Sequence, residues 1–329
     1  MNPILLRKIA ISALILCGVQ AKALLHEFEL KDGRTIKAEV VRFNSALGQV
    51  DLEREDGKRV KVKANIFTAK DQNYIKQWKS PPKGVVPIHA GTNTGTDPDF
   101  GDYSITVNGF YMDEYEVTSE LWEKVYKWAI SHGYEFDNSG DGKGAKYPVQ
   151  MISWYDSIKW CNARSEMENR KPAYFVNGTI YKDGQHAPEC DFDTNGFRLP
   201  TCKEWEYAAR GGLVGKRFPW GDTISHDLAN YNASSSCAYD ESSRLHPEYR
   251  GTGDESDTSP VGSFPPNAYG LYDMVGNVNE FNWDELKGGR STRGCSCTSA
   301  ARYGRCGADD ASNSPDFIFS GLGFRTVCK

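Results

Sequence analysis

One stretch near the end of the chain carries oxygen atoms suited to binding a metal. Residues 265–283 read PPNAYGLYDMVGNVNEFNW, and the mixture of aromatic residues with two glycines predicts a buried, irregular loop. Asn277 and Glu280 offer side-chain oxygens and Val278 offers a carbonyl, a set of hard ligands that suits calcium. The alternative is an Asx-type turn in which Glu280 caps a nearby amide, since such turns are common. The residues alone leave both interpretations open.

The cysteines are the second group of reactive side chains. Cys17 falls in the N-terminal segment, which leaves eight of the nine cysteines for the rest of the chain. In an exported protein an even number predicts disulfides, whose connectivity the sequence does not fix. Cys295 and Cys297 form the one close pair, and their spacing is unusual for zinc. They are either a displaced pair of thiolates or members of structural disulfides with Cys328 or Cys237.

The first residues predict export. Residues 1–23 combine a positively charged start (Arg7, Lys8), an apolar run over 9–19 and a small-residue cleavage site at 21–23, which is the pattern of a signal peptide. The apolar run is short for a bilayer-spanning helix. We therefore expect a periplasmic or secreted chain with no membrane span after cleavage. The formal net charge is −5 and the signal segment is purely basic, so the mature chain is acidic, which argues against a nucleic-acid partner.

A small all-β domain is predicted for residues 24–79. Apolar and polar residues alternate, and Asp-Gly pairs at 32–33 and 56–57 supply hairpin turns, which together predict an antiparallel barrel. The run FTAKDQNYIKQW predicts a short helix seated on it. The segment resembles the Sla-type homology domain, an adaptor-like module, which implies no catalytic residues. Its basic residues are explained most simply as a solvated face, the alternative being a site for an acidic surface or a partner peptide. Residues 80–83, with two prolines, predict a linker.

Capping signals predict three helices in the larger domain, residues 84–329. The predicted N-terminal caps are Thr118 or Ser119, Ser153 and Thr201. An acidic residue follows three positions after each of the last two, and Thr201 with Glu204 forms a capping box. The glycine pair at 211–212 ends the third helix.

Several longer motifs in the larger domain point to one family. They are GFYMDEYEVTSELW (109–122), FRLPTCKEWEYAARGG (197–212), FPWGD (218–222), GLYDMVGNVNEFNWD (270–284) and the tail RSTRGCS followed by GLGFRTV. Together they resemble the formylglycine-generating enzyme (sulfatase-modifying factor) superfamily. The resemblance implies an α+β, C-type-lectin-like fold behind the small barrel, with structural calcium. It also implies a protein or peptide partner, a sulfatase being one candidate.

The resemblance bears directly on catalysis. In the oxidases of this family, RGGSY is followed by two cysteines with four residues between them. These thiolates hold copper, and oxygen then oxidises a sulfatase cysteine. Counting from Arg293 places the two positions on Ser299 and Gly304, in a loop shorter than the family's. We therefore expect no copper site, and no oxidation unless Cys295 and Cys297 form a rearranged thiol site.

Two further residue sets are implied by the resemblance. The family's other calcium site uses an asparagine, the next carbonyl and a later aspartate. The corresponding residues here are Asn230, Tyr231 and Asp254. Asp257 is an alternative to Asp254. The resemblance also implies a disulfide between Cys161 and Cys306.

Three functions remain open after these observations. The first is a binding or scaffold protein that lacks the copper-binding cysteine pair, which we expect. The second is an oxidoreductase that generates formylglycine through a rearranged thiol site. The third is a lectin-like ligand binder that uses the C-terminal surface. The candidate residues of that ligand face are Asn279, Phe281, Asn282, Arg302, Tyr303 and Arg305.

Overall fold

The computed structural model describes residues 25–78, 81–251, 256–309 and 312–329. The predicted signal peptide lies outside the described residues. So do the first position of the predicted linker and Asp254, one of the predicted calcium ligands.

The N-terminal module is an open four-stranded antiparallel sheet. Its strands pair in chain order and are β1 (His26–Glu29), β2 (Thr35–Asn44), β3 (Gln49–Arg54) and β4 (Arg59–Lys63). Both predicted turns form, and Gly33 and Gly57 take the positive φ that such turns require (85° and 86°). In the described part of the chain β1 and β4 do not pair with each other, and no closed barrel is found. An isolated bridge between Leu30, after β1, and Phe67, after β4, links the two ends of the module. Helix α1 (Ala69–Gln77) covers the apolar face instead, with Ile75 fully buried.

Helix α1 is fixed to the sheet by a buried carboxylate. Asp71 accepts hydrogen bonds from His26 Nε2 at 2.8 Å and from the Glu29 amide at 2.7 Å. Thr68 caps the helix and also donates to Asp71. Tyr74, one turn further on, stacks on His26 with ring centroids 4.0 Å apart. The position of Tyr74 is therefore set by contacts within the module.

Short strands and three helices joined by long loops make up the larger domain. Its helices are α2 (Ser119–Ile130), α3 (Trp154–Met167) and α4 (Cys202–Arg210). Its strands are β5 (Val85–Ile88), β6 (Gly91–Asp97), β7 (Gly101–Val107), β8 (Phe110–Asp113), β9 (Tyr174–Val176), β10 (Thr179–Ile180), β11 (Glu189–Cys190), β12 (Asn279–Leu286), β13 (Gly289–Arg293), β14 (Ser312–Asn313), β15 (Leu322–Gly323) and β16 (Val327–Cys328). They form sheets β16-β8-β5, β6-β7, β10-β9-β11 and β14-β13-β12-β15. This is the mixed α+β composition that the sequence predicted.

The three predicted helices begin at their predicted caps. The hydroxyls of Thr118, Ser153 and Thr201 each accept a hydrogen bond from the amide three residues later. The capping box of α4 is present, α3 has a similar one, and Gly211 ends α4 in the left-handed conformation. None of the helices in the described ranges combines the length and the apolarity needed to cross a membrane.

The stretch 265–283 is irregular only in its first part. Residues up to Val278 form turns, as predicted, but from Asn279 the chain is strand β12. This strand pairs antiparallel with β13 and parallel with β15. The pairing with β15 joins residues far apart in sequence, which explains why the local pattern of aromatics and glycines did not predict a strand.

Candidate functional site

The two loops singled out from the sequence lie against each other. The Gly276 amide donates to the Gly294 carbonyl at 2.8 Å, and the Cys297 amide donates to the Asn277 carbonyl at 2.9 Å. The Asn277 amide in turn donates to the Asn230 carbonyl at 2.8 Å. Three predicted site segments are therefore joined by their backbones.

Glu280 is committed to protein donors. Arg325 contacts both of its carboxylate oxygens, with Nη2 2.6 Å from Oε1 and Nε 2.8 Å from Oε2, and Trp205 Nε1 donates to Oε2 at 2.7 Å. Glu280 and Arg325 are both completely buried. A calcium ion at this carboxylate would lie beside a buried guanidinium, which repels it. Glu280 therefore does not fit the role of a calcium ligand.

Asn277 is held by a residue that the sequence did not single out. The side-chain nitrogen of Asn277 donates to Glu116 Oε2 at 2.6 Å, and the backbone amide of Val278 donates to Glu116 Oε1 at 3.0 Å. The side-chain oxygen of Asn277 accepts from the Ser259 amide at 2.9 Å. Burial raises the pKa of Glu116 well above its usual value. The only sequence signal for Glu116 was an acidic residue inside the motif 109–122, and that signal does not specify a role.

The side chains of the first predicted calcium set, Asn277 and Glu280, are therefore already engaged with protein groups. Within the described residues, no group of three or more His, Cys, Asp or Glu side chains is arranged to hold a metal ion. Asp273, another buried carboxyl group in this loop, accepts from the Gly262 amide at 2.6 Å. Burial raises its pKa to about 6.

The second predicted calcium set fits a ligand better. The Asn230 side chain is 1% exposed, and its nitrogen donates to the Asp257 carbonyl at 2.7 Å. Its oxygen has no hydrogen-bond partner among the described residues, and such a buried acceptor is normally satisfied. Asp257, the alternative ligand, is paired with Lys143 instead. The Asn230 oxygen therefore suits a cation, while the carboxylate of Asp257 is already engaged.

Neither position aligned with the family's copper cysteines can bind a soft metal. The Ser299 hydroxyl lies 2.9 Å from the Ser296 hydroxyl, which is also 2.9 Å from Thr298 Oγ1. Gly304 is buried, and a Cβ there would lie 2.5 Å from Val275 Cγ1 and 2.9 Å from Cys295 Sγ. The sulfur of Cys295 therefore occupies the space next to the second position.

Cys295 and Cys297 are free, buried thiols in this structure. They are 1% and 3% exposed, and burial raises the pKa of each to about 12. A thiol must lose its proton to act as a nucleophile or as a copper ligand. Without a metal these two thiols are therefore protonated at neutral pH, which disfavours nucleophilic chemistry at this pair.

The predicted disulfide between Cys161 and Cys306 is not formed in this structure, where both residues are free thiols. Cys161 packs in the core around α2 and α3, whereas Cys306 packs with Ala208 and Ala209 of α4 in a different cluster. The pairing therefore stays a prediction, and this packing does not favour it.

The predicted ligand face does not form as one surface. Phe281 and Asn282 are fully buried in β12, and Asn279 is half-buried. Arg302 and Tyr303 are exposed, and Arg305 lies over the Phe100 ring at 4.5 Å. Both faces of β12 are covered at these two positions, and Phe281 packs in the core around α2 and α3. Phe281 and Asn282 are therefore not on the surface, and this part of the prediction is wrong.

A polar cleft opens beside these loops. It has a volume of ≈ 550 Å³, and Thr258, Cys297 and Thr298 line it together with Lys143 and Gln150. Ser256 also lines the cleft. The hydroxyl oxygens of Ser256 and Thr258 are buried and have no hydrogen-bond partner among the described residues. Buried hydroxyls are usually hydrogen-bonded, so these two oxygens lie unused beneath the cleft. The polar groups that a ligand can reach are those of Lys143, Gln150 and the exposed Thr298.

The fold and the site together define the class of this protein. It has a mixed α+β domain in which paired loops lie beside a polar cleft. The model of the Sulfatase-modifying factor enzyme 1-like domain family matches residues 71–329. The chain belongs to this family, as the motifs implied. The match starts inside α1 and leaves most of the N-terminal module outside.

The relatives of this chain include proteins named as a chaperone, as an active enzyme and as an inactive enzyme. The chain is 33% identical to "Chaperone protein LppX" of Paenibacillus barcinonensis, over 61% of this chain and 71% of that protein. It is 30% identical to "Formylglycine-generating enzyme" of Bos taurus, over 75% of each chain. It is 26% identical to "Inactive C-alpha-formylglycine-generating enzyme 2" of Bos taurus, over 70% and 68%.

A solved structure supports the fold. "Crystal Structure of CarF" superposes with a TM-score of 0.59 at 26% identity, over 75% of this chain and 98% of that chain. The larger domain is therefore a formylglycine-generating-enzyme-like fold, which is consistent with the predicted C-type-lectin-like architecture.

Proposed function

We propose that this chain is an exported, non-oxidising member of the family that binds a segment of a protein partner in the polar cleft. The proposal rests on the two residues at positions 299 and 304, which align with the copper-binding cysteines of the family. A hydroxyl engaged with Ser296 stands at the first, and a glycine packed against Cys295 and Val275 stands at the second. Copper(I) needs soft ligands, and neither group is one.

The cleft supports binding rather than chemistry. Its lining includes the polar side chains of Lys143, Gln150 and Thr298, and a peptide backbone carries both donors and acceptors that pair with such groups. Lys143, which pairs with Asp257, lines the same cleft. An extended peptide segment is therefore the occupant that suits the cleft best.

The names of the relatives agree with a protein partner. One relative is called a chaperone, and another is called an inactive form of the enzyme. A sulfatase is one candidate partner, because the active relatives generate formylglycine. We further propose that residues 1–23 direct export to the periplasm or the exterior, and that the N-terminal module is a Sla-type adaptor.

An activity assay tests the absence of oxidation. The purified mature chain is incubated with copper and a C-x-P-x-R peptide, and the aldehyde is measured by mass spectrometry. We expect no aldehyde and no tight Cu(I) binding in competition with a chromophoric chelator. Copper-dependent aldehyde that disappears in a Cys295→Ser, Cys297→Ser double variant would establish the rearranged thiol site instead.

A binding assay tests the cleft, with the same peptide as a fluorescent probe. Thr298→Val removes an exposed hydroxyl that lines the cleft and preserves the shape of the side chain, so we expect peptide affinity to fall while the melting temperature does not. Thr179→Val, on the exposed end of β10, is the control and should leave affinity unchanged. Equal affinities for all three proteins would contradict a role for the cleft.

Structural calcium at Asn230 is a further part of this proposal. Because a ligand bound only by the native state raises the midpoint of unfolding, calcium should raise the melting temperature relative to chelator. Asn230→Ala should abolish that increment, since it removes the unpartnered amide oxygen. Equal melting temperatures of the wild type with calcium and with chelator would contradict calcium binding.

A further inference from the structure

A second cavity lies between the N-terminal module and the larger domain. Its volume is ≈ 630 Å³, within the range of roughly 300–1,000 Å³ typical of small-molecule sites. None of its lining residues lines the polar cleft. The cavity is therefore independent of the function proposed above.

Aromatic side chains form one wall of this cavity. Tyr74 and Trp78 come from the N-terminal module, and Tyr111 comes from β8 of the larger domain. Tyr74 is stacked on His26 and is still 38% exposed. Its ring is thus held in place while remaining open to a ligand.

Polar groups from two loops of the larger domain form the opposite wall. Thr194 Oγ1 donates to the Lys171 carbonyl at 2.7 Å, and the Lys171 amide donates to Asn195 Oδ1 at 3.0 Å. Arg170 Nη1 donates to the Asn195 carbonyl at 3.0 Å. These bonds hold the wall in shape before any ligand arrives, which lowers the entropy lost on binding.

The charges around the cavity balance. The cationic side chains that line it are Arg170, Lys171 and Lys329, and the carboxylates are Glu39, Asp191 and Asp193. Lys329 Nζ lies 2.6 Å from Asp193 Oδ1, and Glu39 accepts from the Tyr111 hydroxyl at 3.0 Å. An anionic ligand would meet the carboxylates and a cationic ligand would meet the lysines and the arginine, so a neutral ligand is favoured.

We propose that this cavity binds a neutral saccharide. The C–H groups on one face of a sugar ring are weakly positive and pack on the negative face of an aromatic ring, here Tyr74 or Trp78. The hydroxyls around the ring both donate and accept hydrogen bonds, which matches a wall that contains both kinds of group. A wholly apolar ligand would displace water from this polar and charged wall without replacing the hydrogen bonds of that water.

Glycan binding by the full mature chain tests the proposal. The probe is a panel of neutral, sialylated and sulfated glycans, followed by calorimetric titration of a neutral glycan that binds. We expect Tyr74→Ala to weaken binding at least tenfold and Tyr74→Phe to retain it, because phenylalanine keeps the stacking face.

Tyr303→Ala is the matched control, because Tyr303 is 37% exposed and lies outside the cavity. It should bind the glycan as the wild type does. The proposal is overturned if no neutral glycan on the panel binds, if only charged glycans bind, or if Tyr303→Ala weakens binding as much as Tyr74→Ala. Binding of peptides through Tyr74, with no glycan bound, would overturn it in favour of a protein ligand.

Discussion

Gly304 has no room for a side chain. A Cβ would lie 2.5 Å from Val275 Cγ1 and 2.9 Å from Cys295 Sγ, so its neighbours must shift. We expect Gly304→Ala to lower the free energy of unfolding by roughly 1–3 kcal/mol, as overpacking of a core does. Urea denaturation measures the loss. Gly144→Ala is the control, since the nearest atom to its Cβ is 3.5 Å away, and an equal loss in both variants would contradict the packing argument.

Asp273 makes stability depend on pH. Burial raises the pKa of this carboxyl to about 6 from an ordinary value of 3.8, and the negative charge of Glu280 raises it further. The hydrogen bond from the Gly262 amide and the positive charge of Arg325 lower the pKa, but by less. The folded state therefore binds the proton more tightly than the unfolded state. Ionisation of Asp273 consequently destabilises the fold as pH rises from about 4 to about 6.

Asp273→Asn should remove this pH dependence. Asparagine keeps an acceptor for the Gly262 amide and tolerates the φ of 54° at this position. We expect the variant to be more stable than the wild type by roughly 1–3 kcal/mol near pH 7 and unchanged near pH 4. Denaturation is measured in chelator so that calcium does not contribute. A gain of the same size at both pH values would mean that ionisation is not the cause.

The elements whose signals are local were predictable. The caps of α2, α3 and α4 depend on hydrogen bonds between a hydroxyl and an amide three residues away, so the sequence contains them. Strand β12 was missed because its pairing with β15 joins distant residues. The role of Glu280 was misassigned for the same reason, since its partner Arg325 lies 45 residues later.

Glu280 couples β12, α4 and the C-terminal segment. Its carboxylate binds Arg325 and Trp205, and the pair with Arg325 is fully buried. Glu280→Gln removes the one carboxylate that is hydrogen-bonded to the buried guanidinium, so we expect a loss of about 3–5 kcal/mol in the free energy of unfolding. The loss should be the same with calcium and with chelator, because the carboxylate serves the protein and not a metal.

An exposed ion pair provides the control for that variant. Glu123 pairs with Lys127 on α2, and their side chains are 63% and 71% exposed. Glu123→Gln should change stability by at most about 0.5 kcal/mol. If Glu280→Gln were equally mild, or lost stability only when calcium was present, the assignment of Glu280 to Arg325 would be contradicted.

At the scale of the whole molecule, the sequence predicted which family the larger domain belongs to but not how the parts meet. The resemblance follows from motifs spread over the larger domain, and the family match over residues 71–329 agrees with it. The cavity between the two modules has no sequence signature, because its walls come from α1 and from loops near residues 170 and 193. The helix on the N-terminal sheet was predicted, but closure of the sheet was not found, because pairing of its first and last strands is a long-range contact that local alternation does not specify.

The reactivity of the cysteines toward an alkylating reagent measures how tightly each part of the molecule is packed. Of the eight free cysteines in the described residues, Cys161, Cys295, Cys297, Cys306 and Cys328 are buried. Cys190, Cys202 and Cys237 are half-buried, and burial raises the pKa of the first two. Because the thiolate is the form that reacts, we expect iodoacetamide to label Cys237 first in the native protein. The buried five should react only on unfolding.

Mass mapping of a non-reduced digest extends this test to the pairing of the thiols. The Cys190 thiol lies near enough to raise the pKa of Cys161, whereas Cys306 packs under α4 in another cluster. Any disulfide formed by Cys161 during export should therefore involve Cys190, since joining it to Cys306 would require the two cores to move. A cross-linked peptide containing Cys161 and Cys306 would contradict the packing of both clusters, whereas free thiols at both positions agree with it.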